Sequence, residues 1–285
     1  IGGVHMYFGS SGWVGYTIPH TGDELYISPF DSKRDTFIFG MQAIGLSFNW
    51  VVKKFYGAEM EELGGKVFDF VNRDIQDIPA GSDGVFATPW FYGERPPLLG
   101  VEARGNFLNL GPTHDRRHMA HAMMEGVCYQ LKMGAQYNVQ KRNFSWPKAV
   151  NVIGGGSNSV LWQQIKSDIT WRKISTMHEK ECASLGAAIL ASVAIGLYPD
   201  LETAAKVNTI ARSCIPDAAA AELCLVAGNA GAVHMQGGCA GIGVAVRVQK
   251  STCAPAAYGC AGLVQLGIGH IVADLAAVHP GLHIG

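Results

Sequence analysis

An α/β fold is predicted by three features of this chain. The first is Ala149–Trp171, AVNVIGGGSNSVLWQQIKSDITW, where a short apolar strand runs through three glycines into a helix. The second is a pair of β-rich runs near the start, Val4–Phe8 and Trp13–Ile18, joined by Gly9-Ser10-Ser11-Gly12. The third is the alternation of further strand-like and helix-like stretches up to about residue 200. Length and charge agree with one large or two ordinary domains. The chain has 285 residues, and 22 basic against 23 acidic side chains leave a net charge of −1. Such a balance argues against a nucleic-acid partner.

Taken in order, Val4–Phe8 and Trp13–Ile18 read as a hairpin, with Tyr26–Phe30 as a further strand. Phe37–Tyr56 is expected to be a helix, with Ile44, Phe48, Val51, Val52 and Phe55 on one side. Met60–Arg73 reads as a second helix and Asp74–Gly84 as a loop rich in Asp, Pro and Gly. Val85–Trp90 is a strand entering the polar loop Phe91–Pro97. That loop carries Glu94 and Arg95 where functional groups commonly sit, although a surface ion pair would explain them equally. Thr113 is expected to cap a helix over Asp115–Ala135. His114, His118 and His121 near its start have metal-like spacing, but Arg116 and Arg117 between them disfavour a cation, so no metal site is expected.

In the central unit, Val150–Ile153 is a buried-strand run, and Ser157 or Asn158 is placed to cap the following helix. The apolar side of that helix is Leu161, Ile165 and Ile169, with Trp162 beside them. Bare amides and a positive helix end favour phosphate or sugar hydroxyls there, although a ligand-free turn has the same look. A P-loop would need a Lys-Ser/Thr pair after Gly156, and none follows. A dinucleotide fold would use Gly154, Gly156 and Glu179, but Ser159 stands at the third glycine, which leaves a nicotinamide-dependent oxidoreductase as a weaker alternative. Arg172–Met177 then reads as a strand and Glu181–Leu197 as a small-residue helix.

Five blocks in this order resemble the C-terminal domain of the FGGY family of carbohydrate kinases, most closely its xylulokinase-like members, over residues 4–212. Gly9-Ser10-Ser11-Gly12 resembles the family's phosphate turn, and Phe91-Tyr92-Gly93-Glu94-Arg95 its Gly-Glu-Arg loop. Gly105-Asn106-Phe107 through His118 to Glu125-Gly126 resembles the family signature. Gly154–Ser157 with Trp162 resembles the adenosine motif, and Glu181–Ala188 the closing helix. The resemblance implies a ribonuclease-H-like domain of the actin-like ATPase architecture and Mg-ATP phosphorylation of a sugar or polyol hydroxyl. Xylulose is the first substrate expected from it. It further implies phosphates at Gly9, Ser10, Ser11 and Gly12, adenosine at Gly154, Gly155, Gly156, Ser157 and Asn158, and Glu94 and Arg95 at the cleft.

Three departures accompany the resemblance. The family's general-base aspartate and its sugar-binding domain belong upstream of Ile1, so this segment alone is expected to be inactive, or to be a non-catalytic nucleotide- or partner-binding piece. Ser10 replaces the usual Thr and keeps a hydroxyl. Asn109 stands where the signature has Gly, and Asn tolerates a left-handed backbone better than most residues.

From about Ser213 the composition changes. Residues 213–285 hold five charged side chains, one aromatic residue and five of the seven cysteines in an Ala/Gly-rich background. This predicts a weakly structured extension, and the composition favours out-of-frame residues over a small genuine module. An odd number of cysteines without a Cys-x-x-Cys pair suggests free thiols in a reducing cytoplasm. No signal peptide is visible, and the longest apolar helix candidate, Ala187–Leu197, falls short of the roughly 20 residues of a membrane span. An exposed half-cleft would make the chain prone to associate with itself.

Overall fold

The computed structural model describes residues 3–20, 27–29, 33–95 and 100–224. All of them fall in the first compact unit, Ile1–Val248, whereas the second, Gln249–Gly285, lies outside the described residues. The elements run β1 (Val4–Phe8), β2 (Gly12–Pro19), β3 (Ile27–Pro29), β4 (Arg34–Met41), α1 (Gly45–Phe55), α2 (Gly57–Leu63) and α3 (Val67–Ile75). They continue through β5 (Phe86–Thr88), β6 (Asn106–Leu108), α4 (Arg116–Arg142), β7 (Ala149–Ile153), α5 (Val160–Thr170) and β8 (Lys173–Met177). The series ends with α6 (Cys182–Ala194), α7 (Leu201–Ala205) and β9 (Ile210–Cys214).

Seven strands form one mixed sheet in the order β3-β4-β2-β1-β7-β8-β9. β1, β2 and β4 make an antiparallel meander, while β1, β7 and β8 are parallel neighbours. This arrangement corrects the dinucleotide alternative, whose sheet is essentially parallel and has no place for the opening hairpin. The alternating residues Val4, Met6 and Phe8 turn inward with Val150, Val152 and Ile174. They pack against Phe48, Val51 and Val52 of α1, Met123, Val127 and Leu131 of α4, and Trp162, Ile165 and Ile169 of α5 in one continuous core. α4 lies close because its small residues allow it: a Cβ on Gly126 would stand 2.2 Å from the Ala87 carbonyl oxygen in β5.

Several expectations need correcting. Phe37–Tyr56 is not one helix, because Arg34–Met41 buries every second residue (Asp35, Phe37, Phe39, Met41) and pairs with β2. Period two and aromatic content win over the helical spacing, which holds only from Ile44 on. Met60–Arg73 breaks at Gly64, with φ at +54°, into α2 and α3. α4 is capped by Asp115 rather than Thr113; its carboxylate accepts from Arg117 N at 2.9 Å while His118 Nδ1 accepts from Asp115 N at 3.2 Å. α5 is capped by Ser159 rather than Ser157 or Asn158. β6 was not expected. Ile27–Pro29 realises the middle of the expected Tyr26–Phe30 strand, while Tyr26 and Phe30 lie outside the described residues.

Ordered structure also continues past residue 212. β9 pairs antiparallel with β8 through Cys214, residues 218–224 are helical, and Cys214, Ala221 and Cys224 are buried. The expectation for the rest of the tail, residues 225–285, lies outside the described residues. α6 buries none of its residues among the described ones, and Leu190 is 56% exposed. Among the described residues no helix is long and apolar enough to cross a membrane.

Candidate nucleotide site at two adjoining glycine turns

β1 and β7 run parallel with Tyr7 opposite Ile153, so the two glycine segments emerge side by side at the same end of the sheet. Their contact is close. Gly154 has φ +92°, and a Cβ there would lie 2.6 Å from the Phe8 carbonyl oxygen, so only glycine fits without strain. Gly155 faces open space, with nothing within 4 Å of its Cβ position. Gly155–Ser157 form a single 3₁₀ turn, with Ser157 N donating to Gly154 O at 2.9 Å and Asn158 N to Gly155 O at 3.2 Å. Asn158 is exposed.

The Gly9–Gly12 turn sits on the start of α1. Gly45 N donates to Gly9 O at 2.9 Å, and Ile44 N and Leu46 N both donate to Ser10 O. A Cβ on Gly45 would meet Gly9 O at 2.5 Å, so the seating depends on glycine in the helix as well. The turn's carbonyls thus face inward. The amides and hydroxyls of Ser10 and Ser11 are left without a hydrogen-bond partner among the described residues. A loop tip with two bare amides and two hydroxyls is chemically fitted to an anion.

Glu94 and Arg95 play unequal parts, and neither forms the simple surface ion pair. Glu94 is 4% exposed, and its Oε1 accepts from Gln42 N and Arg95 N, each at 2.7 Å. Its Oε2 accepts from Gln130 Nε2 of α4, so the carboxylate is an anchor tying loop, sheet and helix together. Arg95 is exposed and its Nε donates to Gln42 Oε1 at 2.9 Å. Gln42 follows Met41, which pairs with Gly12, so the guanidinium stands at the sheet end that carries the Gly9–Gly12 turn.

The His114 and His118 rings lie 5.1 Å apart, but the three histidines are engaged by separate partners. His114 Nδ1 accepts from Gly111 N at 2.8 Å, His118 contacts Asp115 and Asp83, and His121 is buried with its Nδ1 2.9 Å from Ser82 Oγ. Burial pushes His121 down to about 4 and Glu125, which accepts from Gly81 N and Ser82 Oγ, up to about 7. Among the described residues no group of three or more His, Cys, Asp or Glu could hold a metal ion. Asn109 adopts φ +61° and its Nδ2 donates to Gly84 O at 2.9 Å, so the amide side chain secures the turn in which Asn replaces Gly.

Two polar residues that carry the second turn escaped the sequence reading. Gln163 Nε2 donates to Gly156 O at 2.8 Å, and the Lys166 ammonium lies 3.4 Å from the same oxygen. Both are buried on α5 between its apolar positions. The available signal was their helical spacing of three, which stacks them beneath the turn.

Comparison with known proteins decides the family. Residues 7–195 match the model of the FGGY family of carbohydrate kinases, C-terminal domain. The chain belongs to the FGGY family. It is 29% identical to the xylulose kinase of Staphylococcus epidermidis over 161 residues, which is 56% of this chain and 31% of that protein. It is 31% identical to the gluconokinase of Bacillus subtilis over 156 residues, 53% of this chain and 30% of that protein. A ligand-bound xylulose kinase structure from Lactobacillus acidophilus superposes with TM-score 0.71 at 24% identity, over 84% of this chain and 48% of that one. The glycerol kinase of Plasmodium falciparum, solved with ADP, gives 0.65 at 17% identity, over 82% of this chain and 47% of that one. The fold is therefore that of FGGY kinases, the actin-like ATPase architecture. The chain spans less than half the length of these relatives.

Proposed function

We propose that this chain supplies the nucleotide-binding half of an ATP-dependent carbohydrate kinase. The observation that carries the reading is the adjacency of two glycine turns at the ends of parallel β1 and β7, one with bare amides and one with an open glycine face. Gly9, Ser10, Ser11 and Gly12 would take the nucleotide phosphates. Gly154, Gly155, Gly156, Ser157 and Asn158 would border the adenosine, and Arg95 would face the transferred group. A Mg²⁺ ion would ride on the phosphates and neutralise their charge. Phosphoryl transfer needs alignment, charge neutralisation and a carboxylate to accept the hydroxyl proton. The first two are the task of the turns, whereas the carboxylate and the sugar contacts are assigned to the part of the family fold that this chain does not span.

Xylulose is the first substrate to test, followed by gluconate, in view of the names of the related kinases. Titrating ATP, ADP and NADH into the chain by calorimetry tests the reading. ATP and ADP should bind, and NADH should not displace them. Absence of ATP and ADP binding would sink it. Supplying the sugar-binding domain of a related FGGY kinase and assaying sugar-dependent ADP release tests the activity; the chain without that domain should show none.

A further inference from the structure

Lys166 is fully buried, an unusual place for an ammonium group. Its Nζ lies 3.7 Å from the centre of the Phe8 ring and 5.1 Å from that of Trp162. It also lies 3.4 Å from Gly156 O and 3.3 Å from Gln163 Oε1. Phe8 is the residue before the Gly9–Gly12 turn and Gly156 belongs to the other turn. One charge therefore sits directly beneath both. Among the described residues no carboxylate pairs with it. The titratable groups acting on it are the thiols of Cys128 on α4 and Cys214 on β9, and burial pushes both thiols up, Cys128 to about 12. They are neutral at ordinary pH and give no counter-charge. Burial lowers Lys166 itself to about 7.

A buried cation with two ring faces and two oxygens around it but no counter-charge is still costly, and an apolar residue of similar volume would fill the same space at no such cost. We propose that Lys166 is a positioning residue for a nucleoside phosphate: it fixes the Gly156 carbonyl from below and lends positive charge to both turns, favouring phosphate-bearing ligands over the bare nucleoside. The proposal rests on the nucleotide reading of the two turns and adds to it the group that couples them. In so dry a setting the charge is weakly screened and reaches the turn surface. A bound anion would hold the ammonium protonated, so phosphate binding should weaken as pH rises through the range in which Lys166 loses its proton.

The test compares ADP and adenosine binding to the full chain and to its K166M and K166R variants by calorimetry. For K166M, ADP affinity at about pH 6 should fall about tenfold, while adenosine affinity stays within about twofold, because only the charge–charge contribution is lost. In the wild-type chain, ADP affinity relative to K166M should shrink between about pH 6 and about pH 9. K166R, whose guanidinium stays charged, should keep tight ADP binding at both. A K166M chain that matches wild type in ADP affinity and pH profile overturns the proposal and leaves the nucleotide reading intact. So does an equal loss for ADP and adenosine, which would mark Lys166 as packing alone. If the wild-type chain binds neither ligand, the nucleotide reading itself falls and takes the proposal with it. If K166M does not fold, K166R decides: ADP affinity that falls with pH as in wild type overturns the proposal, and affinity held at about pH 9 supports it.

Discussion

The two glycine turns close neighbouring parallel strands, and they are made rigid from opposite directions. Gly9–Gly12 is a hairpin tip whose Gly9 and Ser10 carbonyls are taken up by the first amides of α1 and whose Ser11 carbonyl accepts from Gly9 N, so only the Ser10 and Ser11 amides are left bare. Gly154–Ser157 is a strand-to-helix turn that bonds its later amides to itself and is held from beneath by Gln163 and Lys166. The first leaves the Ser10 and Ser11 amides and hydroxyls without a partner among the described residues. The second leaves the face of Gly155 open, with nothing within 4 Å of its Cβ position. Glycine serves different ends in each: Gly12 and Gly45 make room for α1, with a Cβ on Gly12 only 2.0 Å from Ile44 Cδ1, whereas Gly154 makes room for Phe8. The difference teaches that glycine content alone does not assign a phosphate loop; what matters is where the freed amides point.

The sharpest way to break this comparison lies within the second turn. Gly154→Ala forces a Cβ against the Phe8 carbonyl at positive φ and should cost about 2–3 kcal/mol in urea unfolding. Gly155→Ala, with nothing near its Cβ, should stay within about 0.5 kcal/mol of wild type. Equal costs would mean that the turn is not anchored on β1. At the first turn the effect should appear in binding instead of stability. Changing Ser10 and Ser11 together to Ala removes two free hydroxyls and should weaken ADP about tenfold or more, with stability shifting by no more than about 0.5 kcal/mol. A stability loss without a binding loss would reassign those hydroxyls to the fold.

Much of this is legible in the sequence. The strand, glycines and helix of Ala149–Thr170 are read directly from a short apolar run followed by helical spacing; Ile165 and Ile169 of the expected face and Trp162 beside it are buried, whereas Leu161 is only partly buried against the core. β4 was not legible, because Phe37, Phe39 and Met41 alternate immediately before Ile44 and Phe48 begin a helix, and the two periods merge when read as one window. The caps fall one or two residues beyond the expected ones where Ser, Thr, Asn and Asp crowd together, since each can cap and tertiary packing chooses; Ser159 is chosen where its hydroxyl also reaches Asn72 Oδ1 at 2.9 Å. Glu94 was placed correctly as a loop residue, but its burial depends on Gln42 and Gln130, far away in sequence. For the same reason the support under the second turn was invisible: nothing local marks Lys166 as sealed between Phe8 and Trp162.

Two smaller effects separate the site from the scaffold behind it. Glu125, raised by burial to about 7 from 4.5, binds more protons folded than unfolded between those values. Stability should therefore decline as pH rises through that window, and Glu125→Gln should flatten the decline in urea midpoints without altering ADP affinity. An unchanged slope would remove Glu125 from the account. Smallest of all, Trp171 ends α5 in a left-handed conformation, φ +55°, where glycine is at ease. Trp171→Gly should raise stability by about 1 kcal/mol, seen as a higher melting temperature, and a lower one would show that the half-exposed ring contributes more by packing than the backbone loses.

The most direct test of the central claim is hydrogen exchange of the full chain with and without ADP, read at both turns. ADP should slow exchange at residues 9–12 and at residues 154–158 together, with α6 unchanged as an internal control. Protection confined to one turn, or found only elsewhere, would contradict the claim that the two turns form a single nucleotide site.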